Sequence, residues 1–183
     1  MKVNEVLDAK GLACPMPIVK TKKAMTTMEP GHVLEVLATD RGSIADLEAW
    51  AGNMGHQYLG YKEDGDVLKH YLRKNSDGED KPEKKHEQTI TNEDLKKLDT
   101  EAITLVDVRE PAEYEFGHIP NAVSVPLGEL EGNLDKIDKD KDVYVVCRTG
   151  SRSDLAAQKL SEKGWNVYNV VPGMKEWDGE VTK

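Results

Sequence analysis

The chain has 183 residues, of which 38% are hydrophobic and 32% charged, and its formal net charge is −9. The acidic balance argues against nucleic acid or anionic membrane surfaces as partners, because the summed field repels phosphate. No apolar run approaches the roughly 20 residues that span a bilayer, and the N-terminus has no signal-peptide pattern, so the sequence predicts a soluble cytoplasmic protein.

A stretch without Val, Ile, Leu or aromatic residues divides the sequence, "KNSDGEDKPEKKHEQ" at Lys74–Gln88. It cannot bury enough apolar surface to offset the entropy of ordering. We therefore predict a domain at 1–74, a flexible charged linker at 75–88 and a second domain at 89–183. The alternative, one domain with a long solvated loop, is disfavoured by the usual lengths of loops.

The first domain is predicted to be a small two-layer α/β sandwich in the order β-α-β-α-β-β. In its first helix the apolar positions step by three and four residues along one face. Ser43 is the expected N-cap of the second helix, and Asp64-Gly65 is typical of a hairpin turn. The predicted elements are a strand at Val3–Leu7, a helix at Pro15–Met28, a strand at Val33–Ala38, a helix from Ser43 to about Asn53, and the hairpin.

The second domain alternates short apolar strands with helix-length segments, which implies an α/β fold with a mainly parallel central sheet and helices on both faces. The strands are "ITLVDV", "AVSVP", "DVYVVC" and "NVYNVV", and the helical segments lie near Pro111–Phe116, Leu127–Leu134 and Asp154–Lys163. Ligands bind beyond the carboxyl ends of parallel strands. Because Cys147 ends one strand, we expect the chemistry there.

The segment "CRTGSRSDLAAQKL" places Cys147 before a short polar loop and a helix. Gly150 lets the loop curl, so that its amides and the positive helix end surround the sulfur. Such a setting favours a thiolate or a persulfide anion. The candidate anion-binding loop is Arg148, Thr149, Gly150, Ser151, Arg152 and Ser153, the alternative being a cysteine that merely closes a strand beside two solvated arginines.

Three motifs in order, "LVDVREPAEYEFGHIPNAVSVP", "VYVVCRTGSRS" and "VVPGMKEW", resemble a single-domain rhodanese over residues 89–183. The resemblance implies that Cys147 carries a persulfide held by the loop amides. It also places Asp107 and Arg109 near the loop, where Asp107 could pair with an arginine. Cysteine phosphatases and arsenate reductases use a wider C-x5-R loop, whereas Cys147 and Arg152 give C-x4-R, which favours sulfur transfer.

The other cysteine, Cys14, stands in "GLACPMPIVK", just before the first predicted helix. Pro15 and Pro17 suit a first helical turn and stiffen it. The cysteine would then sit at the positive end of the helix, where the dipole favours a charged sulfur. The alternative is that Cys14 packs as a small hydrophobic residue at an ordinary helix start.

A longer pattern, "LDAKGLACPMPIVKTKKAM" followed by "LEVLATD" and "YLRK", resembles the TusA/SirA-like sulfur carriers over residues 3–74. Their CPxP motif matches Cys14, Pro15, Met16 and Pro17. The resemblance implies that Cys14 accepts sulfur as a persulfide and hands it on. Arg41 follows "ATD" where these carriers more usually have proline.

The sequence as a whole predicts a sulfurtransferase that fuses a TusA-like carrier to a rhodanese domain. Donors would be thiosulfate, polysulfides, low-molecular-weight persulfides or a donor protein, and acceptors would be thiols or acceptor proteins. Neither a metal nor an organic cofactor is expected, since no cysteine or histidine pair has metal-ligand spacing, and a homo-oligomer is left open. Two alternatives are a rhodanese whose first domain only docks a partner, and a phosphatase or arsenate reductase that uses Cys147 alone.

Overall fold

A computed structural model describes residues 2–75 and 86–183, which form two compact units. The linker predicted at 75–88 falls largely on residues 76–85, which lie outside the described residues. Within the two described ranges, no helix combines the length and the apolar character needed to cross a membrane.

The first unit has the predicted β-α-β-α-β-β order. Its first strand lies two residues later than expected, and the helix boundaries agree with the prediction to within one residue. The elements are β1 Glu5–Ala9, α1 Met16–Thr27, β2 Val33–Ala38, α2 Ser43–Met54, β3 Gln57–Asp64 and β4 Val67–Arg73.

The four strands form one mixed sheet in the order β1-β2-β4-β3. Strand β1 is parallel to β2 because α1 connects them, whereas β4 runs antiparallel to both its neighbours. The helices cover one face, where Met25 and Leu47 pack with Leu34, Val36 and Leu72. This single-sided core fixes both helix N-termini at the end of the sheet where β1 and β2 finish.

Ser43 is not the N-cap that the sequence predicted. Gly42 occupies the cap, and Ser43 is the first helical residue, buried, with its hydroxyl donating to the Asp40 carbonyl at 2.6 Å. The Asp40 carboxylate accepts from the Gly42 amide at 3.0 Å instead. The Asp40 side chain therefore orders the turn that leads into α2, and α2 has no side-chain N-cap.

The second unit is built on a five-stranded, all-parallel sheet in the order β5-β9-β8-β6-β7. Its strands and α-helices are β5 Thr89–Thr91, α3 Asn92–Lys96, β6 Thr104–Asp107, α4 Pro111–Glu115, β7 Val123–Ser124, β8 Val143–Val146, α5 Ser151–Glu162 and β9 Val167–Val171.

Both faces of this sheet are covered, as expected for a parallel sheet. Because side chains alternate along a strand, Val143 and Val145 of β8 join the cluster that includes Leu160 of α5. Tyr144 and Val146 point the other way, into the cluster that includes Leu95 of α3. The carboxyl end of β8 is thereby held at the centre of the domain.

Three local details differ from the prediction. Strand β5 and α3 were missed, because "TIT" is too short for a periodicity signal, although Thr91 caps α3 by accepting from the Asp94 amide. The helix predicted at 127–134 consists of two 3₁₀ segments, Leu127–Glu129 and Glu131–Lys136, in a stretch that contains two glycines. Helix α5 begins at Ser151, three residues before the expected start.

Candidate active sites

The sulfur of Cys147 is enclosed by the start of α5. Cys147 follows β8 directly and is 0% exposed. Gly150 adopts a left-handed conformation, with φ of 92°, which turns the chain into the helix and brings its amide to donate to Sγ at 3.0 Å. The connecting loop is only residues 148–150, since Ser151, Arg152 and Ser153 form the first turn of α5.

A second donor to the sulfur comes from that first helical turn. The Ser153 hydroxyl lies 3.3 Å from Cys147 Sγ and 2.5 Å from Asn169 Oδ1 of β9. Asn169 Nδ2 in turn donates to the Gly150 carbonyl at 3.2 Å, and Ser153 and Asn169 are both fully buried. Asn169 was not predicted, but a lone asparagine inside "VYNVV" carries a signal, because a buried amide must find hydrogen-bond partners.

The loop after β9 holds the backbone of the cysteine loop. The Met174 and Lys175 amides donate to the carbonyls of Cys147 and Arg148 at 2.8 and 2.9 Å. Gly173 has φ of 105°, and a Cβ there would lie 2.6 Å from the Cys147 carbonyl oxygen. Asn92 bonds both the amide and the carbonyl of Gly173. The shape of the cysteine loop therefore depends on a loop that the sequence analysis did not assign to the site.

Arg152 lies on the cysteine loop side of α5 but is engaged elsewhere. Its two terminal nitrogens donate to the Glu113 carboxylate of α4 at 2.7 and 3.2 Å. The Glu113 side chain is 0% exposed and also accepts from the Glu110 amide at 3.1 Å. This bidentate pair braces α5 against α4, so Arg152 is tied to the fold.

Asp107 and Arg109 form a second buried ion pair. Arg109 donates to Asp107 from Nε at 2.9 and 3.0 Å and from a terminal nitrogen at 2.6 Å, and that nitrogen also reaches the Gly117 carbonyl at 2.8 Å. The arginine that pairs with Asp107 is thus its near neighbour. The pair fastens the end of β6 to the end of α4.

The remaining loop residues line the mouth of the site. Arg148, Thr149 and Ser151 are half-buried. Beside them is a cleft of about 210 Å³ that is lined by Thr149, Pro172, Lys175 and Glu176. This cleft borders the cysteine loop at Thr149.

Cys14 is presented quite differently, with an exposed side chain between β1 and α1. The Cys14–Pro15 peptide is cis, Pro15 is the N-cap of α1, and Pro17 is buried at the second helical position. Two residues that follow β2 hold this loop: the Cys14 amide donates to Asp40 Oδ2 at 3.2 Å, and the Gly11 amide to Thr39 Oγ1 at 2.9 Å. These are the Thr and Asp of the "ATD" motif. Arg41, the next residue, is exposed and pairs with Glu63.

Carboxylates surround Cys14 and correct the expectation of a charged sulfur at the helix end. A hydrogen bond to Asp46 of α2, partial desolvation, and the charges of Asp46 and Asp40 raise the pKa of the Cys14 thiol above its ordinary value. The hydrogen bond to Asp46 and the two negative charges favour the protonated thiol and so oppose the effect of the helix dipole. Cys14 therefore rests as a protonated thiol at neutral pH.

A buried chain of hydrogen bonds supports the Asp40 segment from below. His70 of β4 lies 2.9 Å from Ser43 Oγ and 2.7 Å from the Tyr58 hydroxyl, and Ser43 donates to the Asp40 carbonyl. Burial lowers the pKa of His70 to about 4, so the ring is neutral. One arrangement then satisfies every group: Tyr58 donates to Nδ1, Nε2 donates to Ser43, and Ser43 donates to Asp40.

Two family models match the chain, sulfurtransferase TusA over residues 5–74 and the rhodanese-like domain over residues 91–180. The "Putative sulfur carrier protein YrkF" of Bacillus subtilis is 46% identical over 183 residues, which cover 99% of each chain. This chain belongs to the TusA–rhodanese fusion family.

Relatives of each half of the fusion are also known. The sulfur carrier protein TusA of Allochromatium vinosum is 44% identical over 73 residues, covering 40% of this chain and 95% of the relative. A rhodanese-related protein of Thermoplasma volcanium with a crystal structure is 35% identical, covering 52% of this chain and 97% of that one, with a TM-score of 0.49. As a member of the TusA–rhodanese fusion family, the chain is a sulfur carrier and sulfurtransferase.

Proposed function

We propose that Cys147 takes up sulfane sulfur as a persulfide. The Cys147 thiolate attacks the outer sulfur of a donor such as thiosulfate; the new Sγ–S bond forms as the donor's S–S bond breaks, and sulfite leaves with the electron pair. The observation that carries this proposal is the enclosed sulfur itself, with the Gly150 amide at 3.0 Å and the Ser153 hydroxyl at 3.3 Å. Donors at these distances stabilise negative charge on sulfur.

We propose that Cys14 is the second carrier. An exposed cysteine can reach a persulfide on another loop or protein, and here its sulfur attacks the outer sulfur of that persulfide. The Cys14–sulfur bond forms, the old S–S bond breaks, and the first cysteine leaves as a thiolate. Because carboxylates keep Cys14 protonated, its proton must leave before attack, and Asp46, which shares a hydrogen bond with the thiol, is the candidate base.

Intact-mass spectrometry tests both assignments. The Cys14→Ser and Cys147→Ser variants are incubated separately with thiosulfate, a polysulfide and glutathione persulfide, and the double variant is the control. We expect Cys14→Ser to gain the mass of one sulfur atom from thiosulfate and the double variant to gain nothing. Loading of Cys147→Ser by thiosulfate, with none on Cys14→Ser, would overturn the assignment of Cys147 as the entry point.

Docking alone, without sulfur transfer through Cys14, is the alternative role for the first unit. Transfer to an acceptor thiol distinguishes the two roles. If the first unit only docks a partner, Cys14→Ser should load sulfur on Cys147 and still deliver it at the normal rate.

Mixing the Cys14→Ser and Cys147→Ser chains further tests a relay within one chain. We expect the intact protein to pass labelled sulfur between its cysteines faster than the mixture at equal dilute concentration, because tethering raises the effective concentration.

The phosphatase and arsenate-reductase alternative is disfavoured by the engagement of Arg152. In the C-x4-R loop this arginine is held bidentately by the buried Glu113 carboxylate, whose negative charge would also repel a tetrahedral oxyanion. We expect no release of phosphate from aryl phosphates and no reduction of arsenate, under conditions in which thiosulfate loads Cys147.

A further inference from the structure

The Ser153 hydroxyl has one proton and two acceptors. Cys147 Sγ lies 3.3 Å away and Asn169 Oδ1 lies 2.5 Å away, and Ser153, Asn169 and the sulfur are all fully buried. A hydroxyl donates one hydrogen bond and rotates to choose its acceptor. Because all three residues are fully buried, the acceptors available to the hydroxyl are the sulfur and the amide oxygen.

The charge on the sulfur decides which acceptor is used. When Cys147 is a thiol, its S–H can donate to Ser153 Oγ while Ser153 donates to Asn169. When Cys147 is a thiolate, it needs the hydroxyl as a donor, since charge-assisted hydrogen bonds are about twice as strong as neutral ones. When Sγ carries a persulfide, the charge resides on the outer sulfur, and the hydroxyl returns to Asn169.

We propose that Asn169 is a positioning residue that competes with Cys147 for the Ser153 proton, so that the Ser153–Asn169 pair switches its donor between the sulfur and the amide during each transfer. This role rests on the proposed persulfide chemistry. Asn169 is itself held in place, because its Nδ2 donates to the Gly150 carbonyl at 3.2 Å. That bond orients Oδ1 toward Ser153 and links the switch to the amide donor of the same loop.

Other charged groups around the sulfur remain unchanged in the comparison that isolates this switch. They come from the cysteine loop and from the elements next to it: Arg148 in the loop, Asp154 and Arg152 of α5 with Glu113 of α4, the Asp107–Arg109 pair at the end of β6, and Lys175 after β9. Variants at Asn169 and Ser153 alter none of these side chains.

The test measures the alkylation of Cys147 by iodoacetamide against pH, in the Cys14→Ser background. Ser153→Ala should move the midpoint of the profile up by about one pH unit, because the thiolate loses a donor. Asn169→Leu keeps the branching at Cγ but has no acceptor, so it should move the midpoint down. Asn169→Asp keeps the shape and adds a stronger acceptor, so it should move the midpoint up. Ser161→Ala, at an exposed position of the same helix, is the control and should leave the profile unchanged.

A purely bracing role gives a different pattern. Both Asn169 variants lose the bond to the Gly150 carbonyl, so bracing alone predicts shifts in the same direction, and that result would overturn the proposal. The proposal is also overturned if Asn169→Leu shifts the midpoint equally with Ser153 and with Ser153→Ala, because the second background has no hydroxyl for Asn169 to release. If the far-UV spectrum shows that Asn169→Leu does not fold, Asn169→Asp is compared with Ser153 and with Ser153→Ala. A shift of equal size in the two backgrounds contradicts the competition between Asn169 and Cys147 for the Ser153 proton. The assay needs no persulfide, so it succeeds or fails independently of sulfur loading.

Discussion

Acidification should selectively destabilise the first unit through His70. This histidine is 0% exposed, and its ring is held neutral between the Tyr58 hydroxyl and Ser43. Burial lowers its pKa from 6.5 to about 4 in the folded chain. In the unfolded chain the ring is in water and takes up its proton near the ordinary value.

The sign and size of the change in the free energy of unfolding follow from proton linkage. Above pH 6.5 both states are neutral at this ring, and the full stability is present. Between pH 6.5 and about 4 only the unfolded chain binds the proton, so the free energy of unfolding falls as the pH falls. At about 1.4 kcal/mol per pH unit, the interval amounts to about 3 kcal/mol, and below about pH 4 this residue causes no further loss.

Trp50 offers a probe of this unit alone. It lies on α2, and the other two tryptophans, Trp165 and Trp177, belong to the second unit. In the Trp165→Phe/Trp177→Phe protein, urea unfolding followed by Trp50 emission at pH 7, 6, 5 and 4.5 gives the free energy of unfolding at each pH. His70→Gln is the matched control, because glutamine can donate to Ser43 but does not titrate.

The difference between the two proteins is the decisive quantity, since other groups titrate equally in both. His56, for example, has a pKa that burial and Lys74 also lower, and it remains in the control. We expect the protein with His70 to lose about 2–3 kcal/mol more than His70→Gln between pH 7 and 4.5. Equal losses in the two proteins would refute the reasoning from burial.

Three further predictions concern the two cysteines and their surroundings. In the Cys147→Ser background, Asp46→Asn should lower the pKa of Cys14 and speed its alkylation at pH 7. Glu48→Gln on the exposed side of α2 is the control. An unchanged alkylation rate in Asp46→Asn would contradict the inference that Asp46 raises the pKa of Cys14. Arg152→Ala should reduce the free energy of unfolding of the second unit by about 3–5 kcal/mol, because it leaves the Glu113 carboxylate buried without its partner; a loss as small as that of Lys159→Ala on the same helix would show that the pair is not buried in solution. Gly173→Ala should slow sulfur loading on Cys147 far more than Gly164→Ala, since both glycines have φ near 100° but only Gly173 lies against the cysteine loop; equal effects would mean that backbone strain alone is responsible.

The order of elements in the first unit, and the position of each cysteine just before a helix, were predictable from local patterns. The steps of three and four residues in α1, the apolar strands around Cys147, and the glycine before α5 are all signals within one window of sequence. The order of the motifs along the chain also indicated the two families that the sequence resembles, the TusA-like carriers and the rhodaneses. These features depend on neighbours along the chain, which is why a single sequence carries them.

The groups that act on each sulfur from a distance were not predictable in the same way. Asp46 reaches Cys14 from α2, and Asn169 reaches Ser153 from β9, so each contact joins residues that only the fold brings together. The expectation of a charged Cys14 failed for this reason, because the helix dipole is visible in the sequence and the opposing carboxylates are not. Likewise, the sequence showed two arginines beside Cys147 but did not show that Glu113 holds one of them.

The two hydrogen bonds from the loop after β9 to the cysteine loop also bear on how readily the cysteine loop could evolve another chemistry. Inserting one residue would give the C-x5-R length of oxyanion-binding loops, but the loop would have to accommodate it while the Met174 and Lys175 amides hold the carbonyls of Cys147 and Arg148. Arg152 would remain on Glu113, so the insertion alone would supply space without the guanidinium. A change of reaction class would need coordinated substitutions in the cysteine loop, in α4 and in the segment around Gly173. We expect each single mutational step toward that end to give a poorly folded or slow sulfurtransferase. Such intermediates would hinder a change from sulfur transfer to phosphatase chemistry by single substitutions.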